Sequence, residues 1–297
     1  MTSSAEVAAR DVLGAASRRA ELDPAGAELI RLGENALFRL PGGIIARIAR
    51  AGQAAAVARE VAVARWLETH DVPAVQLWPG VDQPVEVDGR AVTWWRELAP
   101  HKHGTALQVA TALRRLHDLP PPVECDVGRL DPFVRLGERI DRATTLRKAD
   151  RHWMRRHLAE LEARYAELPE GLPESVVHGD AWIGNVVSTD DGQVVLLDLE
   201  RCSIGPPEWD LTSTAVKAFS IAGITAEDYG TFVKAYGHDV TAWAGFETLR
   251  DIREFRMTCM AAQVAAENPA RRDEVKLRLA CLRGERGPRP WRWTPVP

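Results

Sequence analysis

A chain of 297 residues that is 45% hydrophobic, with 38 Lys and Arg against 42 Asp and Glu, is long enough for two modest domains or one large one around a buried core. A net charge of -4 without a polybasic block excludes a nucleic-acid footprint. No run approaches the roughly 20 apolar residues that a bilayer crossing needs, and no basic patch with an apolar run behind it stands at the N-terminus, so a cytoplasmic protein with no membrane partner is expected. Cys125, Cys202, Cys259 and Cys281 are far apart, with no C-x-x-C pair and no His at zinc spacing, and read as reduced packing cysteines.

In chain order, Ser3-Ser4-Ala5-Glu6 has capping-box character and opens an Ala-rich helix to about Ala20. Three short strands follow, Glu28 to Leu32, Ala36 to Leu40 and Ile44 to Ala49, with Pro41-Gly42-Gly43 turning the second into the third. Gln53 to Thr69 has no Pro or Gly and is helical by composition. Asp88-Gly89 between Val85 to Val87 and Ala91 to Trp95 is a strong hairpin signal. Thr105 to Leu119 reads as a helix stopped by Pro120, and Asp131 to Leu168 as helical with interleaved charges. His101-Lys102-His103 between them reads as an exposed loop. Helices are expected again over Leu211 to Ala222, Ala226 to Tyr236 and Phe246 to Glu267. The Pro-, Arg- and Trp-rich stretch from Gly284 is either a tail packed by Trp291 and Trp293 or a loose end.

The most informative segment runs from Val176 to Glu200. Val186-Val187 and Val194 to Leu197 are short apolar β-branched runs around the turn residues Thr189 to Gln193, which predicts a hairpin with Asn185 and Asp198 at neighbouring ends. Asp180 stands five residues before Asn185. A carboxylate that orients an acceptor hydroxyl, with two oxygen ligands that hold Mg²⁺ on nucleotide phosphates, is the minimum that phosphoryl transfer asks of a protein.

His178-Gly179-Asp180, Gly184-Asn185, Leu197-Asp198-Leu199-Glu200 and Pro207-Glu208-Trp209-Asp210-Leu211 together resemble the motifs of the aminoglycoside phosphotransferase and choline kinase-like family, small-molecule kinases with a protein-kinase-like fold. The resemblance implies an α+β, two-lobed architecture. Residues 1–97 would form a nucleotide-binding lobe of antiparallel sheet with one internal helix, and residues 98–297 a mainly α-helical catalytic and substrate lobe. It further implies Asp180 as the catalytic residue, Asn185 and Asp198 as Mg²⁺ ligands, and ATP or GTP as co-substrate. Glu200, read as two residues beyond Asp198 on the same strand face, is either a further metal-side carboxylate or a rim charge. His178 and Asp210 are expected to support the loop.

On the nucleotide side, Arg47 in the apolar third strand would face the phosphates, with Glu60 on the following helix as its ion-pair partner and Arg50 as the alternative cation. No G-x-G-x-x-G is present. Gly33, Glu34 and Asn35 form a reduced turn whose Gly and Asn tolerate positive φ and can bring backbone N–H groups to a phosphate. Backbone groups of Glu97, Leu98 and Ala99 would read the purine edge. Trp182 either stacks on an acceptor ring or packs.

The acceptor is a small molecule with a hydroxyl, in a range that spans natural products, sugars, nucleosides and amino alcohols, and the family resemblance extends this to antibiotic modification. About a dozen charges of each sign follow Gly205, which argues against a strongly cationic substrate. Asp228, Asp239, Glu247, Asp251 and Glu254 remain candidates for an acidic rim, and Phe232, Tyr236, Trp243 and Phe255 for an apolar pocket. Two other classes stay open, a nucleotide-binding protein without turnover and a nucleotidyl transferase; the filled metal and acceptor positions disfavour both. No G-x-S-x-G elbow supports a hydrolase.

Overall fold

In the computed structural model, which describes residues 3–33, 35–123 and 125–295, helix α1 (Ser4–Arg19) starts where the Ser3 hydroxyl accepts the Glu6 N–H. That bond satisfies one of the donors a helix start leaves unpaired. The buried stripe Ala9, Val12, Leu13 and Ala16 recurs at helical spacing. It packs with Phe38, Ile48 and Trp94, so α1 covers one face of the first sheet.

That sheet is antiparallel in the order β1 (Glu28–Leu32), β2 (Ala36–Leu40), β3 (Ile44–Ile48), β5 (Arg90–Arg96), β4 (Val85–Val87). Both hairpin turns are as the sequence predicts: Gly42 and Gly43 take positive φ between β2 and β3, and Asp88 and Gly89 between β4 and β5. Side chains alternate across a strand. Ile44, Ala46 and Ile48 are buried toward α1, so Ile45 and Arg47 project from the other face. Arg47 pairs in register with Leu37 and Thr93. A one-residue slip would exchange the two faces. Helix α2 (Ala54–Thr69) buries Val57, Glu60, Val61 and Ala64.

Beyond β5, the expected loop at His101 to His103 is strand β6 (His101–His103), paired with β8 (Val186–Thr189) through Lys102 and Ser188. Three exposed polar residues carry no strand period, and a partner strand from far along the chain recruits them. Helix α3 (Ala106–His117) opens on a complete capping box of Thr105 and Gln108. The helical expectation over 131–168 resolves into α4 (Leu136–Arg142) and α5 (Lys148–Ala166). The break between them buries Ala143 and Leu146 in the helical core, which a continuous helix would not reach.

Strand β7 (Ser175–Val177) pairs with β10 (Ser203–Gly205). The predicted hairpin is β8 with β9 (Val194–Leu196), in register Val186 with Leu196. Helices α6 (Glu208–Phe219), α7 (Ala226–Tyr236), α8 (Phe246–Glu267) and α9 (Arg272–Leu282) complete a mainly helical second lobe. The C-terminal stretch is packed: Trp291 and Trp293 are buried and stacked 5.3 Å apart, and the Trp291 N–H donates to Ser220 O at 2.7 Å. Its last two residues and Glu34 of the phosphate-side turn lie outside the described residues. The architecture is α+β and two-lobed, an antiparallel sheet lobe against a helical one. All four cysteines are free. Among the described residues no helix is long and apolar enough to cross a membrane.

Candidate active site

The loop after β7 is held through its backbone. Asp210, fully buried in the first turn of α6, accepts the N–H of His178 at 2.6 Å and of Gly179 at 2.9 Å. Its Oδ2 also lies 3.1 Å from His117 Nε2, and His117 Nδ1 lies 2.8 Å from the Tyr236 hydroxyl. Burial alone would raise the Asp210 pKa, but the His117 hydrogen bond, with His117, His178 and Arg253 nearby, holds it below the usual carboxylate value. Hydrogen bonds to a charged acceptor are the stronger kind. His178 is architectural, as expected: Nε2 sits 2.8 Å from Leu197 O and Nδ1 lies 3.4 Å from the Asp180 N–H. Both contacts suit the Nε2–H tautomer. Gly179 has φ +82, and a Cβ there would meet Arg201 O at 2.3 Å, so only glycine fits. Its carbonyl accepts the Trp209 Nε1–H at 2.8 Å.

With the loop fixed by main-chain bonds, the Asp180 side chain stays 45% exposed, and the nearest ionic partner is Arg253 Nη1 at 3.6 Å. The Asn185 Nδ2 donates to Asp180 O at 3.0 Å, which leaves the amide oxygen as the atom to offer a cation. The Leu197 N–H donates to Asn185 O at 2.8 Å. Asn185 and Asp198 therefore meet at the hairpin end, as the sequence predicts.

Asp198 is not the end of a regular strand. It takes φ 56 and ψ 64, between β9 and a 3-10 turn over Leu199–Arg201. A left-handed non-glycine residue is uncommon and costs energy that surrounding structure must offset. This corrects the expected place of Glu200. The left-handed step carries Glu200 off the strand face and into the turn, where it accepts from Arg47 Nη2 at 2.8 Å and lies 3.7 Å from Arg201 Nε. Enclosure in the cleft raises the Asp198 pKa, with repulsion from Glu200 and Asp180 adding to it and Arg47 opposing. Carboxylates that repel one another fit a hard divalent cation. Among the described residues no group of three or more His, Cys, Asp or Glu forms a ready metal cage; Mg²⁺ on phosphates needs only one or two carboxylates.

The predicted Arg47 and Glu60 pair forms: Arg47 Nη1 donates to both Glu60 oxygens, at 2.5 and 2.6 Å. One guanidinium thus serves Glu60 and Glu200 beside Asp198. Burial lowers the Arg47 pKa, and the three carboxylates more than reverse it. Burial pushes Glu60 up to about 7 against the pull of Arg47. The folded protein binds this proton more tightly than the unfolded chain, so the associated stability is fully present below about 4.5 and lost as pH rises through about 7. It amounts to at most about 3 kcal/mol. Thermal melting of the nucleotide-free protein should fall across that window, and Glu60→Gln should flatten the slope; parallel slopes for the two proteins would refute the assignment.

Asp180, Asp198, Glu200 and Gly33 line one cavity of about 750 Å³, to which Arg31 and Arg50 contribute from the sheet lobe. Arg47 lies instead in an adjoining cavity of about 300 Å³ with Asn35, Glu60 and Arg50. Gly33 and Asn35 thus face different spaces, tied by a Gly33 N–H bond to Asn35 O at 3.2 Å. After β5, the Glu97 N–H donates to Gly43 O at 2.7 Å and its carboxylate accepts from Arg39 Nε at 2.6 Å. Leu98 is half-buried and Ala99 exposed.

Sequence reasoning missed the far wall of the main cavity. Arg139 and Arg142 of α4, and Arg253 and Arg256 of α8, line it with Met257 and Met260. Arg253, Arg256, Met257 and Met260 fall on one helical face, but a buried arginine looks like a surface arginine in sequence. The proposed acidic rim does not form there. Asp228 caps α7 and Asp239 caps a 3-10 turn, Glu254 and Asp251 bind Arg289, and Glu247 pairs with Arg250. Phe232, Tyr236 and Phe255 are core residues, and Trp243 lies by Gly171 and Glu208, away from Asp180. A second, mostly apolar chamber of about 380 Å³ also opens on Asp180, walled by Trp182, Val216, Met260 and Trp293. Trp182 is 39% exposed there, backed by Gly184 and with Lys217 Nζ 4.5 Å from its ring centre.

A sheet lobe and a helical lobe that share a cleft lined by a loop Asp and a hairpin-end Asp describe a kinase-like small-molecule phosphotransferase. The sequence model of the phosphotransferase enzyme family (APH) matches residues 33–255, and the chain belongs to that family. Among solved structures it is similar to the amicoumacin kinase hAmiN, with 18% identity and a TM-score of 0.63 over 92% of this chain and 96% of that one. It is similar to the aminoglycoside phosphotransferase APH(3'')-Id from Streptomyces rimosus, with 24% identity and a TM-score of 0.60 over 81% and 97%. A choline/ethanolamine kinase family protein from Mesorhizobium loti gives 20% identity and a TM-score of 0.57 over 92% and 94%. No curated protein matches the chain.

Proposed function

We propose that the protein transfers the γ-phosphoryl group of ATP or GTP to a hydroxyl of a small molecule, a natural product such as an antibiotic or another metabolite, in the cytoplasm. The observation that carries this reading is the single cavity that unites Asp180 and Asp198 with Gly33 and the arginines of the sheet lobe. Related structures support the co-substrate: hAmiN holds AMP-PNP and Ca²⁺, and the Streptomyces rimosus enzyme holds ADP and streptomycin.

Asp180 accepts a hydrogen bond from the acceptor hydroxyl and aims its oxygen at the γ-phosphorus. The oxygen forms the new P–O bond as the bond to the β-phosphate breaks, and the proton passes to Asp180. In a loose transition state this proton leaves late, so alignment contributes more than base strength. Asn185 and Asp198 would hold Mg²⁺, which would supply positive charge against that of the nucleotide phosphates. Glu200 and Glu60 clamp Arg47 at the phosphate side, a role for Glu200 other than metal ligand, while Gly33 and Asn35 border the phosphates. Because the Glu97 N–H is already bonded, the purine would be read at Leu98 and Ala99, and the lobes divide there, into 1–97 and 98–297.

Removal of the metal-side carboxylate in Asp198→Ala should weaken Mg²⁺-dependent AMP-PNP binding by more than about 1.4 kcal/mol, or tenfold in Kd, by calorimetry. The reaction itself is tested by ADP and GDP release with Mg²⁺ over hydroxylated antibiotics, sugars, nucleosides and amino alcohols. A mass gain of about 80 Da on one acceptor is the expected result. Pyrophosphate release would show nucleotidyl transfer instead, and nucleotide binding with no product would show a binding protein.

A further inference from the structure

The cleft wall beyond Asp180 carries two arginines of α8, Arg253 and Arg256, whose hydrogen bonds within the described residues reach no carboxylate. Among the described residues, seven arginines and four carboxylates, Asp180, Asp198, Glu200 and Glu267, line the main cavity. Arg31 and Arg50 come from the sheet lobe, where the phosphates of the proposed nucleotide would account for them. Arg253 and Arg256 do not fall on that side; they share α8 with Met257 and Met260, which continue into the apolar chamber around Trp182.

The hydrogen bonds of these two guanidiniums go to neutral backbone carbonyls. Arg253 donates to Trp209 O at 3.0 Å and lies over the Trp209 ring at 4.0 Å, and Arg256 donates to Pro132 O. Arg253 is 7% exposed, and its Nε is buried without a hydrogen-bond partner among the described residues. Desolvation, and then the charge of Arg253, pushes Arg256 down to about 10. The nearest carboxylate, Asp180 at 3.6 Å from Arg253, is the group the reaction uses. Two adjacent guanidiniums that share Asp180 as their nearest carboxylate are incompletely compensated where burial is deep, and a planar guanidinium fork matches an oxyanion in a bidentate way.

We infer that the acceptor is an organic anion, a hydroxylated molecule whose carboxylate, sulfate or phosphate group is bound by Arg253 and Arg256 while its apolar body lies along Met257, Met260 and Trp182. This rests on the phosphotransferase reading and narrows it. Arg139 and Arg142 of α4 stand at the same wall, the latter paired with Glu138 at 2.7 Å, and the guanidiniums of Arg253 and Arg256 disfavour polycations such as aminoglycosides, which like charge would repel.

The test uses acceptors matched in size and differing in charge: mandelate, phenylethylene glycol and phenylethanolamine; galacturonate, galactose and galactosamine; glycerol phosphate and glycerol; and streptomycin. ADP formation is followed with Mg²⁺ and ATP. In parallel, binding of malonate, sulfate and inorganic phosphate to the complex with Mg²⁺ and AMP-PNP is measured by calorimetry, which separates carboxylate from sulfate and phosphate preference. The anionic member of a set should be turned over best, or, where all acceptors are silent, at least one simple anion should bind the nucleotide complex. Arg256→Gln should raise KM for that acceptor, or weaken anion binding, by about tenfold or more with a smaller change in kcat. The more exposed Arg142→Gln should act in the same direction, by a smaller factor, and serves if Arg256→Gln does not fold. Equal or better turnover of neutral or cationic members, no anion binding, or no effect of either variant would overturn the inference and leave the kinase reading standing. Absence of AMP-PNP binding, or pyrophosphate release, would instead overturn the phosphotransferase reading and this inference with it.

Discussion

Replacement of Asp180 by Ala is expected to lower phosphotransfer turnover by roughly 10²–10⁴-fold while nucleotide binding and melting temperature stay near those of the unaltered protein. The argument is geometric. The loop is held by Asp210, Trp209 and His178 through main-chain groups, and Asn185 bonds the Asp180 carbonyl rather than its carboxylate. The Asp180 side chain itself supports no other part of the loop. Its half-exposed carboxylate can be removed with every loop hydrogen bond left in place, while Arg253 and, more weakly, Arg256 lose an ionic neighbour. Steady-state ADP release and AMP-PNP calorimetry on the same preparation check both halves. Retention of most activity would show that another group orients the acceptor.

The opposite pattern is expected at Asp210. This carboxylate is buried and accepts from two backbone N–H groups as well as facing His117. Asp210→Ala leaves the His178 and Gly179 donors and His117 without their acceptor, and removal of one partner from a buried network costs about 3–5 kcal/mol. Stability by denaturant titration and turnover should therefore fall together. Asp210→Asn keeps the shape but lacks the charge and cannot accept through both side-chain atoms, so it should lie between. A fully stable but inactive Asp210→Ala would mean that the residue acts on the reaction and not on the loop.

Much of this was legible in the chain because it depends on local patterns. The Asp88-Gly89 turn, the start of α1 at Ser3, and the spacing of Asp180, Asn185 and Asp198 each express a backbone or donor requirement within a few residues. The Arg47 and Glu60 pair was readable because strand alternation fixes which face carries the charge. What was not readable depended on distant partners. Strands β6, β7 and β10 are three residues each, too short to show a period, and exist because β8 or one another lies alongside. Glu200 was misplaced because one left-handed residue, Asp198, redirects the chain.

By itself the sequence determined the two-lobed α+β organisation, the family resemblance and the candidate carboxylates, since hydrophobic period, turn chemistry and motif spacing are properties of neighbouring residues. Only the tertiary structure decided that Glu200 joins Glu60 on Arg47, that the tail packs, and that α4 and α8 turn arginines toward the cleft. Those outcomes depend on which charges burial brings together from distant parts of the chain, and solvation in a folded interior is not written in local order.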